Sequence, residues 1–309
     1  MFTSRTPFRV LPLTALALTG LAGLTACGGG AASDGRTQVV ASFYPVAWLA
    51  ERIGGPETSV QTLTKPGAEP HDLELTPRQV GAVGKADLAV YVKGVQPAVD
   101  QAVGKHAKDG SLDAASVVTT LPAVSGGEEE HDHEHDVDYD PHIWLDPSRM
   151  ATVATALGGR LAAADSAHAD GYKSRAAAVA AELTALDRSF KDGLRSCKRT
   201  SIVTAHAAFG YLAERYGLRQ IPIAGVDPSA EPSPKRLAEL TGRIGSAGAT
   251  TVFTETLVSP KVAETLAKEA RVRTAVLDPA EGVGPGSPDD YLSIMKRNLE
   301  TLRPALECS

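Results

Sequence analysis

The sequence lacks an excess of positive charge. Across 309 residues, 31 Lys and Arg stand against 37 Asp and Glu, a formal net charge of −6. The basic surface that nucleic-acid binding requires is therefore missing, and a nucleic-acid partner is excluded. The chain also has no apolar run long enough to span a bilayer. Its most apolar stretch, residues 10–26, is 17 residues long and is broken by Pro12, Gly20 and Gly23, whereas a spanning helix needs about 20 apolar residues. Cysteine is scarce, with three in the whole chain. Against these absences, 43% hydrophobic and 22% charged residues mark a folded chain, and its length exceeds what one hydrophobic core usually supports.

The apolar stretch near the start follows Arg5 and Arg9 and ends in Leu24-Thr25-Ala26-Cys27. A positive segment, a short apolar run and small residues before a cysteine are the pattern of a secretory leader. They resemble a bacterial lipobox, which predicts that residues 1–26 are removed and that Cys27 is acylated. Residues 27–36, rich in Gly, Ala and Ser, then form a flexible leash between the anchor and the folded body. Outside the cytoplasm, the remaining Cys197 and Cys308 are a candidate disulfide, although spacing alone leaves two free thiols open.

Beyond the leash, short β-branched stretches alternate with helical patterns. Residues 38–42, 59–64, 88–92 and 116–119 read as strands, as do 200–205, 219–223, 250–254 and 273–277. Residues 45–53, 77–83, 97–106, 209–216, 234–246, 260–270 and 289–306 read as helices, several opened by proline at a tolerated first-turn position. Leu49-Ala50-Glu51-Arg52 recurs as Leu212-Ala213-Glu214-Arg215, and Ala68-Glu69-Pro70 as Ala230-Glu231-Pro232. Glu51 and Arg52 read as solvated helix-face charges without chemistry. Between the halves, Tyr172, Ala176, Val179, Leu183, Leu186, Phe190 and Leu194 form one apolar stripe at helical spacing. The expected fold is α/β: two pseudo-symmetric lobes, each a mostly parallel four-stranded sheet covered by helices, joined by one long backbone helix. The expected divisions are an amino-terminal lobe over 37–168, a connecting helix over 169–196 and a carboxy-terminal lobe over 197–309. A brace of that length predicts small lobe motions rather than wide hinge closure.

Eight histidines are the most informative feature. His71 follows Glu69-Pro70 in the loop after one predicted strand, His142 lies in Asp140-Pro141-His142-Ile143-Trp144-Leu145-Asp146-Pro147, and His206 directly follows another strand. Ligands of such sheets bind outside the carboxyl ends of strands, and imidazole is a good zinc donor in a site that wants four ligands. His106 and His168 have no such context and read as surface residues.

The strings Pro66-Gly67-Ala68-Glu69-Pro70-His71-Asp72-Leu73-Glu74, Asp140 through Pro147 and Thr204-Ala205-His206-Ala207-Ala208-Phe209-Gly210-Tyr211-Leu212 carry a resemblance. The chain resembles the zinc-binding solute-binding lipoproteins of bacterial ABC importers, whose helical-backbone cluster also includes manganese-binding members. The resemblance implies two lobes joined by one helix, a metal in the cleft between them, and ligand roles for His71, His142 and His206. Manganese-binding members place a carboxylate where this chain has His206, so retention of imidazole favours zinc. For the fourth ligand the family supplies a carboxylate from the segment 277–283; Glu281 is preferred because Glu-Gly resembles the zinc members, and Asp278 is the second choice. Glu69 and Glu231 read first as exposed loop acids, with support of the ligand loops or docking on the permease as the alternatives.

Residues 128–140 hold eight acids and the histidines His131, His133 and His135, with no positive charge. Such a segment cannot bury a core and is expected to collect metal ions weakly. With residues 1–26 removed the net charge is −8, and this segment alone carries −8. The His-x-His-x-Asp-His string of binuclear zinc hydrolases is not matched, because the last two positions are reversed and the setting is low complexity rather than a strand-end loop.

The expected function is thus an extracytoplasmic, lipid-anchored and monomeric receptor that captures Zn2+ as a transported ligand and passes it to an ABC-type permease. The alternatives are a manganese or iron receptor of the same family and a lipid-anchored zinc hydrolase. Against the hydrolase, the chain has no nucleophile elbow, no His-Glu-x-x-His helix and no paired general acid.

Overall fold

A computed structural model of the chain describes residues 1–3, 35–123, 137–229 and 232–309. The expectations for the leader's apolar run, for Cys27, for His131, His133 and His135, and for the Ala230-Glu231 repeat lie outside the described residues. Strand–helix alternation begins with β1 (Thr37–Ala41), α1 (Tyr44–Gly54), β2 (Thr58–Thr62), α2 (Pro77–Val83), β3 (Leu88–Tyr91), α3 (Pro97–His106) and β4 (Ser111–Asp113). Two helices follow, α4 (Pro147–Ala164) and α5 (Ala169–Leu194). The alternation then resumes through β5 (Ser201–Thr204), α6 (Gly210–Tyr216), β6 (Arg219–Pro222), α7 (Pro234–Ser246), β7 (Thr251–Thr254), α8 (Lys261–Ala270), β8 (Arg273–Val276) and α9 (Tyr291–Ala305).

The strands form two four-stranded sheets, ordered β2-β1-β3-β4 and β6-β5-β7-β8, and every neighbouring pair is parallel. The two orders are the same, so the repeat seen in the sequence is a repeat of topology. Proline stands at the first turn of α1, α2, α3, α4 and α7, where its missing N–H costs no hydrogen bond. Thr76 and Gln79 close a capping box on α2, and Asp290 and Ser293 close another on α9.

Two expectations change. The fourth strand of the first sheet is Ser111–Asp113 rather than 116–119. The Asp113 carboxylate accepts from Ala115 N at 3.0 Å and from Lys93 N at 3.1 Å. It thereby caps a 3-10 turn over Ala114–Val117 and ends the strand early. The second change is α4, which hydrophobic spacing did not announce. It packs along α5, which remains the one long helix in contact with both halves, through α1 on one side and α6 and α9 on the other. Close approach requires Gly158, where a Cβ would lie 2.4 Å from that of Ala176.

The apolar stripe on α5 is buried from Tyr172 to Leu194. One core runs through both halves: Val39 and Leu88 of the first sheet join Ile202 and Phe253 of the second through Leu183, Leu186 and Phe190. The repeated Leu-Ala-Glu-Arg motif lies on α1 and α6, and its arginines do make contacts. Arg52 Nη2 reaches Glu182 Oε1 at 2.7 Å, and Arg215 Nε reaches Asp187 Oδ1 at 2.9 Å. Each half is thus fastened to α5 through the same motif position. Cys197 and Cys308 form a disulfide that ties the entry to β5 to the end of the chain. Among the described residues no helix is long and apolar enough to cross a membrane.

Candidate metal centre

Four segments deliver one side chain each to a single point beyond the carboxyl ends of the strands. His71 stands in the loop between β2 and α2. The Glu69 carboxylate accepts from His71 N at 2.9 Å and from Asp72 N at 3.3 Å. Buried Gln96 donates to Pro70 O at 3.0 Å and to Thr64 Oγ1 at 2.8 Å, anchoring the loop to the first half.

His142 immediately precedes a 3-10 turn over Ile143–Leu145. Asp140 Oδ1 accepts from its backbone N at 2.9 Å and lies 2.7 Å from Nδ1. Trp144 Nε1 donates to Pro279 O at 2.7 Å, linking this segment to the one that carries Glu281. Asp146 caps α4 through Ser148 N and Arg149 N.

His206 lies two residues beyond β5, and Glu255 directly follows β7. The two strands are neighbours, so the sheet itself brings these residues together. Glu255 Oε2 lies 2.6 Å from His206 Nδ1, and Oε1 accepts from His206 N at 3.2 Å.

Glu281 lies beyond β8. Ala280 before it is buried and adopts a left-handed φ of 55°, an unusual conformation for a residue with a Cβ. That turn points the carboxylate inward. Asp278 points elsewhere: its carboxylate accepts from Ala280 N at 2.8 Å and from Thr256 Oγ1 at 3.2 Å.

One donor atom from each of His71, His142, His206 and Glu281 lies within 4.8 Å of the others. Glu281 Oε1 stands 3.5 Å from His71 Nε2, 3.6 Å from His142 Nε2 and 3.3 Å from His206 Nε2. Zinc–ligand bonds of about 2.0–2.1 Å in a tetrahedron place donors about 3.3 Å apart, so these separations suit a zinc ion. All four donor atoms are buried without a hydrogen-bond partner, an arrangement that is costly unless a cation completes it. Carboxylates on Nδ1 of His142 and His206 hold both rings with Nε2 facing inward as the donor.

The electrostatics follow from this crowding. Burial works against the Glu281 carboxylate, yet the imidazoles of His206 and His71 hold its carboxyl well below the usual range. Burial alone would depress His206, but Glu255 and Glu281 raise it well above an ordinary histidine. For His142 burial prevails over Asp140 and lowers it.

The sequence reading brought together the four residues that converge here, while Asp278 lies outside the cluster. His106 is exposed, and exposed His168 pairs with Asp165 at 2.7 Å. Two supporting residues were missed. Asp140 sits two positions before His142, a spacing that was visible. Glu255 has no local signal, because it meets His206 only through the pairing of β5 with β7.

Residues 39–305 match the family described as ZnuA, zinc-uptake complex component A, periplasmic. The chain is 36% identical over 289 residues to the zinc-binding protein AdcA of Streptococcus pyogenes, covering 88% of this chain and 56% of that protein. The chain thus spans little more than half the length of that relative. It is 31% identical over 298 residues to the high-affinity zinc uptake system protein ZnuA of Bacillus subtilis, covering 92% and 93% of the two chains. The Zn(II)-bound ZnuA-like domain of Streptococcus pneumoniae AdcA superposes with a TM-score of 0.75 at 33% identity, covering 88% of this chain and 100% of that one. The fold, the four converging side chains and these likenesses agree: the chain belongs to the ZnuA family of periplasmic zinc-uptake components.

Proposed function

We propose that this protein is an extracytoplasmic receptor that captures Zn2+ through His71, His142, His206 and Glu281 and delivers it to an ABC-type permease in the membrane. The observation that carries this reading is the set of four buried, unpartnered donor atoms within 4.8 Å of one another. The relatives' names and the zinc-bound neighbour support the choice of metal. Three imidazoles and one carboxylate suit zinc better than manganese, which prefers oxygen-rich sites. Four protein donors fill a tetrahedral zinc, and a closed sphere holds no water to activate; the protein therefore acts as a binder and not as an enzyme. Acylation at Cys27 tethers the body, residues 27–36 serve as the leash, and the receptor works as a monomer. The lobes run over 37–168 and 197–309 with the connecting helix over 169–196, and residues 128–140 collect ions weakly.

Competitive titration of zinc and manganese against a chelator tests the reading. The expected result is one tight zinc site with clear preference over manganese. His206→Ala is expected to weaken zinc binding by more than the roughly 10–100-fold that loss of an outer hydrogen-bond partner costs. Unchanged affinity in that variant removes His206 from the site.

A further inference from the structure

The segment that carries His142 precedes α4 in the chain, yet it is held by the opposite half of the molecule. Tyr211, on α6, is completely buried. Its hydroxyl donates to Asp140 O at 2.5 Å and accepts from Leu121 N at 3.0 Å. Asp140 N in turn donates to Leu121 O at 2.8 Å. Three hydrogen bonds therefore close a ring through one hydroxyl, and that hydroxyl comes from the half that carries His206. The Asp140 side chain then holds His142 by both its backbone N and its Nδ1.

The residue before Tyr211 adds a second constraint. A Cβ on Gly210 would lie 2.5 Å from Asp140 Oδ2, so the backbone at the start of α6 lies directly against the carboxylate that aims His142. We propose that Tyr211, with Gly210, is a positioning residue for the metal: it fixes Asp140 from the opposite half and thereby sets the aim of His142. This rests on the reading of the four-residue cluster as a zinc site. In consequence, the position of α6 relative to the first half controls a ligand as well as a packing surface. A shift of α6 moves Asp140, and Asp140 carries the imidazole with it.

Tyr211→Phe in the full chain keeps the ring and removes the hydroxyl. Zinc affinity, measured by chelator competition, is expected to fall at least about ten-fold. The electronic spectrum of the Co(II)-loaded protein is expected to change, because His142 meets the metal at a different angle. Tyr172→Phe serves as the control. It removes a hydroxyl bond of 2.9 Å to Asp165, which lies beside Thr37 at the amino-terminal end of β1, away from the metal cluster. Both readouts are expected to stay at wild type there. Gly210→Ala is expected to act in the same direction as Tyr211→Phe and carries the test if that variant does not fold. Wild-type zinc affinity and an unchanged cobalt spectrum in either folded variant overturn the positioning role while leaving the zinc site intact. Absence of tight zinc binding in the wild-type protein overturns the site reading, and the positioning role with it.

Discussion

His206 and Glu255 are joined by a hydrogen bond of 2.6 Å between imidazole Nδ1 and carboxylate Oε2, and both side chains are buried. Strand pairing fixes this contact: the residues follow β5 and β7, which lie side by side. The carboxylate holds the ring in the tautomer that offers Nε2 to a metal. Glu255→Ala is therefore expected to weaken zinc binding by roughly 10–100-fold, and Glu255→Gln, which keeps an acceptor, by less. Chelator competition distinguishes the two variants. Equal affinities in wild type and Glu255→Ala would show that packing alone orients His206.

Asp187 is one of the acids that contribute to the response to low pH. Asp187 on α5 accepts from Arg215 Nε at 2.9 Å, Arg215 Nη2 at 3.0 Å and Lys191 Nζ at 2.8 Å. Burial works against its ionisation, but these bonds prevail and hold the carboxyl below its ordinary value. A lowered folded pKa means that the stabilisation is fully present above the unfolded aspartate value of about 3.9 and is lost as the pH falls through the folded value. Asp187→Asn is expected to lower stability at neutral pH by about 1.5–3 kcal/mol and to flatten the acid limb of the stability–pH profile. Urea titrations between neutral and acidic pH measure both effects, and an unaltered acid limb would place the sensitivity elsewhere.

The Cys197–Cys308 disulfide spans 111 residues of sequence. A crosslink of this reach acts chiefly by restricting the unfolded chain, and its loss costs about 2–4 kcal/mol. Both cysteines lie outside the metal cluster. Cys308→Ser is expected to lower the urea midpoint while zinc affinity at neutral pH stays at wild type. A parallel fall in affinity would mean that the end of α9 supports the ligand loops.

Much of this architecture was legible because its signals are local. Proline at helix starts, β-branched strands and the stripe from Tyr172 to Leu194 each announce an element within a few residues. The converging histidines were legible through short strings such as Asp140-Pro141-His142. α4 was not, because alanine, threonine and glycine dilute its apolar face; Gly158 looks like a helix breaker until Ala176 is seen against it. The strand at Ser111–Asp113 was obscured by its length of three residues and by the more strand-like 116–119 beyond it. Arg52 looked like a solvated charge, since its acid, Glu182, lies on another helix. Glu255 and Tyr211 act on partners 49 and 71 residues away in sequence, where no window of local pattern reaches.

The four side chains of the metal cluster are spaced 64 to 75 residues apart along the chain. An ion bound there is a topological knot that closes three long loops at once, and the unfolded chain offers nothing equivalent. Binding to the folded form alone adds about 4 kcal/mol of stability when free ligand is a thousand times its dissociation constant. Ion and fold are therefore one thermodynamic system: whatever removes a bound ion also loosens the protein that held it, and the emptied protein is a softer molecule than the filled one.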